Sequence, residues 1–336
     1  MSPTHFANAE GPANNFYPFG STVAPFRYSQ IHDDVPAMVI SGMSFRHNWN
    51  ANVYAVHSIT MDAWVSTAAT ASAAMSSTFD TNHGVDKTQV VFNRTYTLAN
   101  SDPSNLPGAF VLDYPFDVPF VFPGGGASLC WEVHVTAKTQ TGSVFYDAVS
   151  ASSSTTSGPA NPAVAIGRFG TGCTATGMAT PMTATATQST NWLGPTMTLT
   201  VNGTNLVPNG LNLFCMGVDK TSYLGIPLPA VLPGTTCPVY SDIVLATPIV
   251  ASAGGAGSNA LTFVPAAAYH GVTIYSQVWG LDAAANAFGL VTSNAAMHHI
   301  VAPYTTPLPV SRLFLSGSLG ATGTVGTSYG LVTNFY

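Results

Sequence analysis

Val53-Tyr54-Ala55-Val56-His57-Ser58-Ile59-Thr60-Met61-Asp62-Ala63-Trp64-Val65 is the stretch on which the fold class turns. Val53, Ala55, His57, Ile59, Met61, Ala63 and Val65 occupy every second position, and Tyr54, Val56, Ser58, Thr60, Asp62 and Trp64 lie between them. A period of two sends alternate side chains to opposite faces of an extended chain, so the stretch reads as a half-buried β-strand.

The same period recurs on either side. Val90, Phe92, Arg94, Tyr96 and Leu98 alternate with Val91, Asn93, Thr95 and Thr97, and Leu129, Trp131, Val133 and Val135 alternate with Cys130, Glu132, His134 and Thr136. A second series holds Met197, Leu199 and Val201, then 211–218, 243–246, 261–264 and 272–281. Turns such as Asn82-His83-Gly84 and Pro208-Asn209-Gly210 separate the runs. Only the alanine-rich stretch 67–75 suggests a short helix, and nothing is long enough for a βαβ crossover. Many short strands between Gly/Pro turns predict an all-β protein of two β-sandwich, jelly-roll-like domains. Residues 151–162 are rich in Ser, Thr, Ala and Pro without apolar periodicity and read as a linker. The last strands, 310–315 and 329–336, need sheet partners, because an isolated pair of strands is marginal in water.

Composition narrows the function classes. Of 336 residues only 7% are charged while 46% are hydrophobic; a soluble domain carries about 25% charged residues. No run approaches the roughly 20 unbroken apolar residues of a spanning helix, and the turns lack the regular hairpin spacing of a membrane barrel. Eight scattered cations form no basic stripe, which excludes nucleic acid as a partner. A net charge of −6 leaves the surface to Thr, Ser, Asn and Gly, which are solvated but repel little. Met1-Ser2-Pro3-Thr4-His5 lacks the basic start and apolar core of a signal peptide, so a secreted protein is expected here in its mature form.

Few residues offer chemistry. Asp33-Asp34 beside His32 reads as a solvated turn. His298-His299 would point to opposite faces of a strand, and no nucleophile elbow or phosphate loop is present. The catalytic set is therefore empty. Asp80, Asn82 and Asp86 present oxygens at i, i+2 and i+6 around Gly84 and form a candidate calcium loop, the sole cofactor suggested. Asn93-Arg94-Thr95 and Asn202-Gly203-Thr204 are sequons, which makes Asn93 and Asn202 candidate glycosylation acceptors. Four cysteines, Cys130, Cys173, Cys215 and Cys237, fit an oxidising compartment and allow three pairings.

Two sets of motifs carry a resemblance. Phe169-Gly170-Thr171-Gly172-Cys173, Gly225-Ile226-Pro227-Leu228-Pro229, Cys237 and Val278-Trp279-Gly280-Leu281-Asp282, through Gly289 to Asn294, resemble a small secreted β-domain of planctomycetes and related bacteria. Phe6 to Gly11, Pro18-Phe19-Gly20, Arg27-Tyr28-Ser29-Gln30, Ser44-Phe45-Arg46 and Phe79 to Asp86 resemble a second module of the same secreted proteins. The resemblance implies secretion and β-sandwich architecture without a catalytic activity. It implies a disulfide between Cys173 and Cys237, leaving Cys130 and Cys215 to bridge the domains or stay as free thiols. It also places the strands around 322–333 with the first module. Residues 163–305 are thus expected as a domain inserted into a host formed by 1–150 plus 306–336.

These readings lead to a non-enzymatic extracellular structural protein. It is expected to self-assemble into a filament or surface layer, with itself as partner. Ser2 to Gly20, which has no obvious core of its own, would add as a strand to a neighbour's sheet edge. A carbohydrate- or surface-binding adhesion module is the alternative.

Overall fold

The computed structural model describes residues 1–11, 13–48, 54–100, 108–150, 164–165, 168–190, 196–300 and 307–336. The protein is all-β, with 3-10 turns as its only helical elements among these residues. Contacts divide the chain into two compact units, Met1–Asn161 with Tyr304–Tyr336, and Pro162–Pro303. The linker expected at 151–162 lies outside the described residues.

In the first unit six antiparallel strands form one sheet, in the order Thr324–Gly326, Val310–Ser316, Phe26–His32, Leu129–Lys138, His57–Thr67 and Thr88–Leu98. The strands Asn334–Phe335, Met38–Phe45 and Leu112–Phe122 form a second sheet, and Ala13–Asn15, Tyr146–Ser150 and Tyr329–Leu331 a third. Inward side chains from all three meet in one core, including Tyr28, Trp131, Val133 and Ile59 from the large sheet and Phe45, Tyr114, Tyr146, Leu331 and Phe335 from the small ones. The strands after 306 thus build sheets in this unit: Val310–Ser316 pairs along its whole length with Phe26–His32.

Alternation held over His57–Thr67, where His57, Ile59, Met61, Ala63 and Val65 are all buried. It breaks within Thr88–Leu98. The register shifts between Met61 and Ala63, Asn93 adopts a φ of 43°, and Asp62 Oδ1 accepts its amide at 2.9 Å. This bulge turns Phe92 outward, to 53% exposure, while both Val90 and Val91 are buried. The alanine-rich stretch holds a single 3-10 turn, Ser72–Ala74, in place of the expected helix.

Ser2 to Gly20, expected to reach for a neighbouring molecule, instead finds its partners within its own unit. Ala13–Asn15 pairs with Tyr146–Ser150, Ser2 bridges Thr333, and Phe6, Ala9 and Phe19 are fully buried. The buried Arg46 donates to Phe6 O and Ala9 O and pairs with Asp147 Oδ2 at 2.6 Å, while Asp147 Oδ1 accepts from Gly11 N at 2.8 Å. A polar chain clamps both termini. Trp131 Nε1 can only donate, so His32 Nε2 accepts from it at 3.0 Å and Nδ1 carries the proton to Ser2 Oγ at 2.7 Å. Ser2 in turn donates to Asp34. Gln30 accepts Leu331 N at 2.8 Å and donates to Leu331 O at 2.9 Å, a side chain acting as a strand neighbour.

The second unit is a smaller sandwich. Arg168–Phe169, Leu290–His299, Thr273–Leu281, Leu211–Gly217 and Leu245–Val250 form a five-stranded sheet in that order. Gly257–Phe263, Met197–Thr204, Thr183–Thr190 and Val164–Ala165 form a four-stranded one. Phe214, Met216, Ile249, Val278 and Val291 from the first sheet pack on Ala184, Met197, Leu199 and Val201 from the second.

Two predictions follow from this burial. Asp147→Ala leaves the Arg46 guanidinium buried without its acid and is expected to cost the first unit about 3–5 kcal/mol in chemical denaturation. Burial holds His32 down to about 3 and His47 to about 4. The unfolded chain therefore binds protons below about pH 6.5 that the folded unit refuses. Stability should fall as pH drops from about 6.5 to 4, by up to about 1.4 kcal/mol per pH unit for each histidine. Circular-dichroism melts across that range check the sign.

Candidate functional site

The most heavily charged place in the protein lies on the outer face of the six-stranded sheet. The period of two sets Cys130, Glu132 and His134 on the face opposite Leu129, Trp131 and Val133, the outer one of a half-buried strand. Residues Ser72 to Asn82 fold back over that face instead, and Met75 and Phe79 pack with Ile31, Cys130 and Leu313. Glu132 becomes fully buried. Its Oε1 meets Arg27 Nε at 3.0 Å and His134 Nε2 at 2.8 Å, and its Oε2 meets His83 Nε2 at 3.0 Å. Burial alone would raise the Glu132 carboxyl. The hydrogen bonds from His134 and His83, with the Lys87 and Arg27 charges, hold it well below the usual carboxylate range. Arg27 stacks on Phe79 at 4.3 Å and donates to Asp80 Oδ1 at 3.0 Å, so one guanidinium ties the covering segment to the sheet.

Cys130, His83 and Glu132 stand together, yet their geometry is not that of a nucleophile and its base. The Cys130 sulfur lies 3.9 Å from the same His83 Nε2 that Glu132 occupies, while Nδ1 meets Ser66 Oγ at 2.8 Å. An orienting acid belongs on the opposite ring nitrogen. Burial also pushes the Cys130 thiol up to about 12, and the inert thiol form follows. The cluster is a latch.

The calcium loop does not gather its oxygens. Asp80 binds Arg27 and Lys87; Asn82 is buried and bonds Ser76 and Thr78; Asp86 accepts from Thr67 N and Oγ1. No group of three or more His, Cys, Asp or Glu fit to hold a metal ion occurs among the described residues. Asp33 accepts from Ser72 and Ser128 and Asp34 from Ser2 and Thr4, so both act as turn caps. Asn93 and Asn202 are exposed.

Cys173 and Cys237 form a disulfide that closes 64 residues of sequence. Cys130 and Cys215 are free and buried, each inside its own unit, and burial raises Cys215 as well, to about 12. The alternative of a bridge between them is thereby corrected.

Beside the disulfide lies the surface that sequence reasoning missed. On the outer face of the five-stranded sheet Leu211 lies opposite Val250, Leu213 opposite Pro248 and Trp279, Cys215 opposite Ala246 and Gln277, and Leu281 opposite Leu290. One end is covered: Gln277 Nε2 and Thr292 Oγ1 both donate to Pro238 O, at 2.7 and 2.8 Å, immediately after Cys237. The other end is open. Val250 is 79% exposed, Leu281 46% and Leu211 44%. The four long strands of this sheet contain no Asp, Glu, Lys or Arg. Pro162–Pro303 as a whole holds five, Arg168, Asp219, Lys220, Asp242 and Asp282, of the 22 in the chain. Asp242 caps Val218 N and Asp219 N, and Asp282 caps Thr176 N. The face carries apolar atoms with almost no charge to repel a like surface.

Neither a protein-family model nor a curated protein matches the chain.

Opening the Cys173–Cys237 loop with Cys173→Ser and Cys237→Ser should destabilise the second unit by about 4 kcal/mol. A thermal melt in which that unit's transition stays in place would contradict this. Glu132→Gln should leave Arg27 without its main partner and make residues 72–86 the first to exchange amide hydrogens with solvent.

Proposed function

We propose that the protein is a non-enzymatic structural component of an extracellular surface that associates with further copies of itself through the open end of the five-stranded sheet. The observation that carries the reading is the uncharged apolar row Val250, Leu211 and Leu281. A partner of strong charge would find nothing complementary there, whereas a second copy presents the same neutral apolar face. A disulfide in the folded chain fits an oxidising compartment. No helix among the described residues is long and apolar enough to cross a membrane.

The geometry favours face-to-face contact over strand addition. Leu245–Val250 is an edge strand, but Pro248 removes a donor from it, and Asn259 Nδ2 caps Pro248 O at 3.0 Å. In the other unit the edge strand Leu112–Phe122 has Pro115 O capped by Tyr96 Oη at 2.8 Å, with Asp117 paired to Arg94 at 3.0 Å. These edges carry gatekeepers against strand addition. Trp279 Nε1 donates to Gln277 Oε1 at 3.3 Å, so its indole hydrogen is already engaged and does not wait for a sugar hydroxyl.

The test is the mass of the purified protein in solution, by light scattering and negative-stain imaging over a concentration series. The parent is expected to form oligomers or larger assemblies. The exposed double variant Leu211→Asp, Val250→Asp should stay monomeric with an unchanged melting temperature. A parent that remains a monomer at high concentration, or a variant that assembles equally well, rejects the proposal.

A further inference from the structure

Thr183-Ala184-Thr185-Ala186-Thr187 and Thr198-Leu199-Thr200-Val201-Asn202-Gly203-Thr204 lie on neighbouring strands of the four-stranded sheet. A period of two sends Ala184, Ala186, Leu199 and Val201 inward, where all are buried. It sends the hydroxyls to the other face. Register then aligns them: Thr183 stands opposite Thr204, Thr185 opposite Asn202, and Thr187 opposite Thr200. On the far side of the middle strand, Thr198 stands opposite Thr262, Thr200 opposite Ala260 and Asn202 opposite Ser258. Neither ladder contains a register shift, unlike the one that pairs His57–Thr67 with Thr88–Leu98. The result is a two-dimensional array, mostly of threonine, that repeats about every 4.8 Å across the strands and about every 6.7 Å along them.

The array is held still. Threonine is β-branched and stiff about its first torsion. Thr183 Oγ1 and Thr204 Oγ1 are 2.6 Å apart, and Thr198 Oγ1 and Thr262 Oγ1 2.9 Å, so cross-strand bonds fix these hydroxyls. A hydroxyl has one donor and two acceptor sites, so each keeps capacity for water after such a bond. Thr183, Thr185, Thr187, Asn202, Thr204 and Thr262 are exposed. The strands Thr183–Thr190, Met197–Thr204 and Gly257–Phe263 contain no Asp, Glu, Lys or Arg, and their one aromatic residue, Phe263, packs on the core.

Such a face selects partners by what it lacks. It offers no ring for a sugar to stack on and no charge for an ionic partner. One group repeated at a fixed spacing gains from many contacts at once only where the ligand repeats too. Ice is a ligand of that kind, because its surface is a lattice of water oxygens whose repeats are of the same order as those of the array. A threonine hydroxyl can take the hydrogen bonds of a lattice water, and the methyl group beside it leaves the neighbouring waters to bond one another. We infer that the outer face of the four-stranded sheet binds the surface of ice. Leu211 and Val250 lie on the outer face of the other sheet of the sandwich, so this inference stands apart from self-association.

The test is microscopy of single ice crystals in a nanolitre osmometer, with recrystallisation of ice in frozen sucrose solution, using the full chain. The parent is expected to facet the growing crystal and to slow recrystallisation as its concentration rises. Thr185→Lys and Thr200→Lys each set a charge at an outward position of the array. Each should lose most of both effects while the protein's melting temperature stays in place. The double variant Leu211→Asp, Val250→Asp leaves this face intact and should keep both effects. A parent that neither facets ice nor slows its recrystallisation, a lysine variant that does both as well as the parent, or loss of both in the Leu211, Val250 variant overturns the assignment.

Discussion

The pairing of Phe26–His32 with Val310–Ser316 is the constraint on which the first unit depends. Seven residues of one strand meet seven of the other across nearly the whole length of the chain. Phe26–His32 is buried along its entire length, and its other edge is paired to Leu129–Lys138. Without the late strand, the middle of the large sheet would become an edge with unsatisfied backbone groups. The side chains of that strand extend the closure. Gln30 holds the Leu331 backbone, and His32 links Trp131 to Ser2, which pairs with Thr333. Beginning and end of the chain are thus fastened at one hub.

A protein with so few charges places several of them where they cost most. Glu132 and Asp147 are fully buried, and each is surrounded by donors that hold a covering segment in place: residues 72–82 over the large sheet, and the N-terminal segment beneath Arg46. Buried pairs of this kind add little net stability compared with an apolar core, but losing one partner is severe, so they favour one arrangement of the loops over others. Arg312 departs from that pattern: no carboxylate among the described residues pairs with it, and its Nε and Nη1 are buried.

The second unit follows a different economy. Its aspartates cap turns, its strands carry almost no charge, and Pro248 with Asn259 blocks an edge of the sandwich. A blocked edge next to an open apolar face is the ground for the proposed stacking of sheets, a geometry in which side chains rather than backbone groups would make the contact. This is compatible with the low charge that marks the composition as a whole.

Strand identity was legible because the period of two is a local property: His57 to Val65 buried every second residue in the order of the letters. Low charge and the even cysteine count were legible for the same reason. What failed in the sequence depended on residues distant along the chain. Phe92 turned outward because Asp62 captured the Asn93 amide, which no inspection of 88–98 could reveal. The alternation at 129–136 could not show that Met75 and Phe79 cover the face of Cys130 and Glu132, nor that Arg27, Lys87 and Thr67 engage the oxygens of Asp80 and Asp86. The exposed row across Leu211, Val250 and Leu281 and the acid-free surroundings of Arg312 exist only once register is set. Composition and local period were enough for a sparsely charged, all-β chain. Tertiary structure decided which polar groups are satisfied, because satisfaction is a matter of distance in space between groups that the chain keeps far apart.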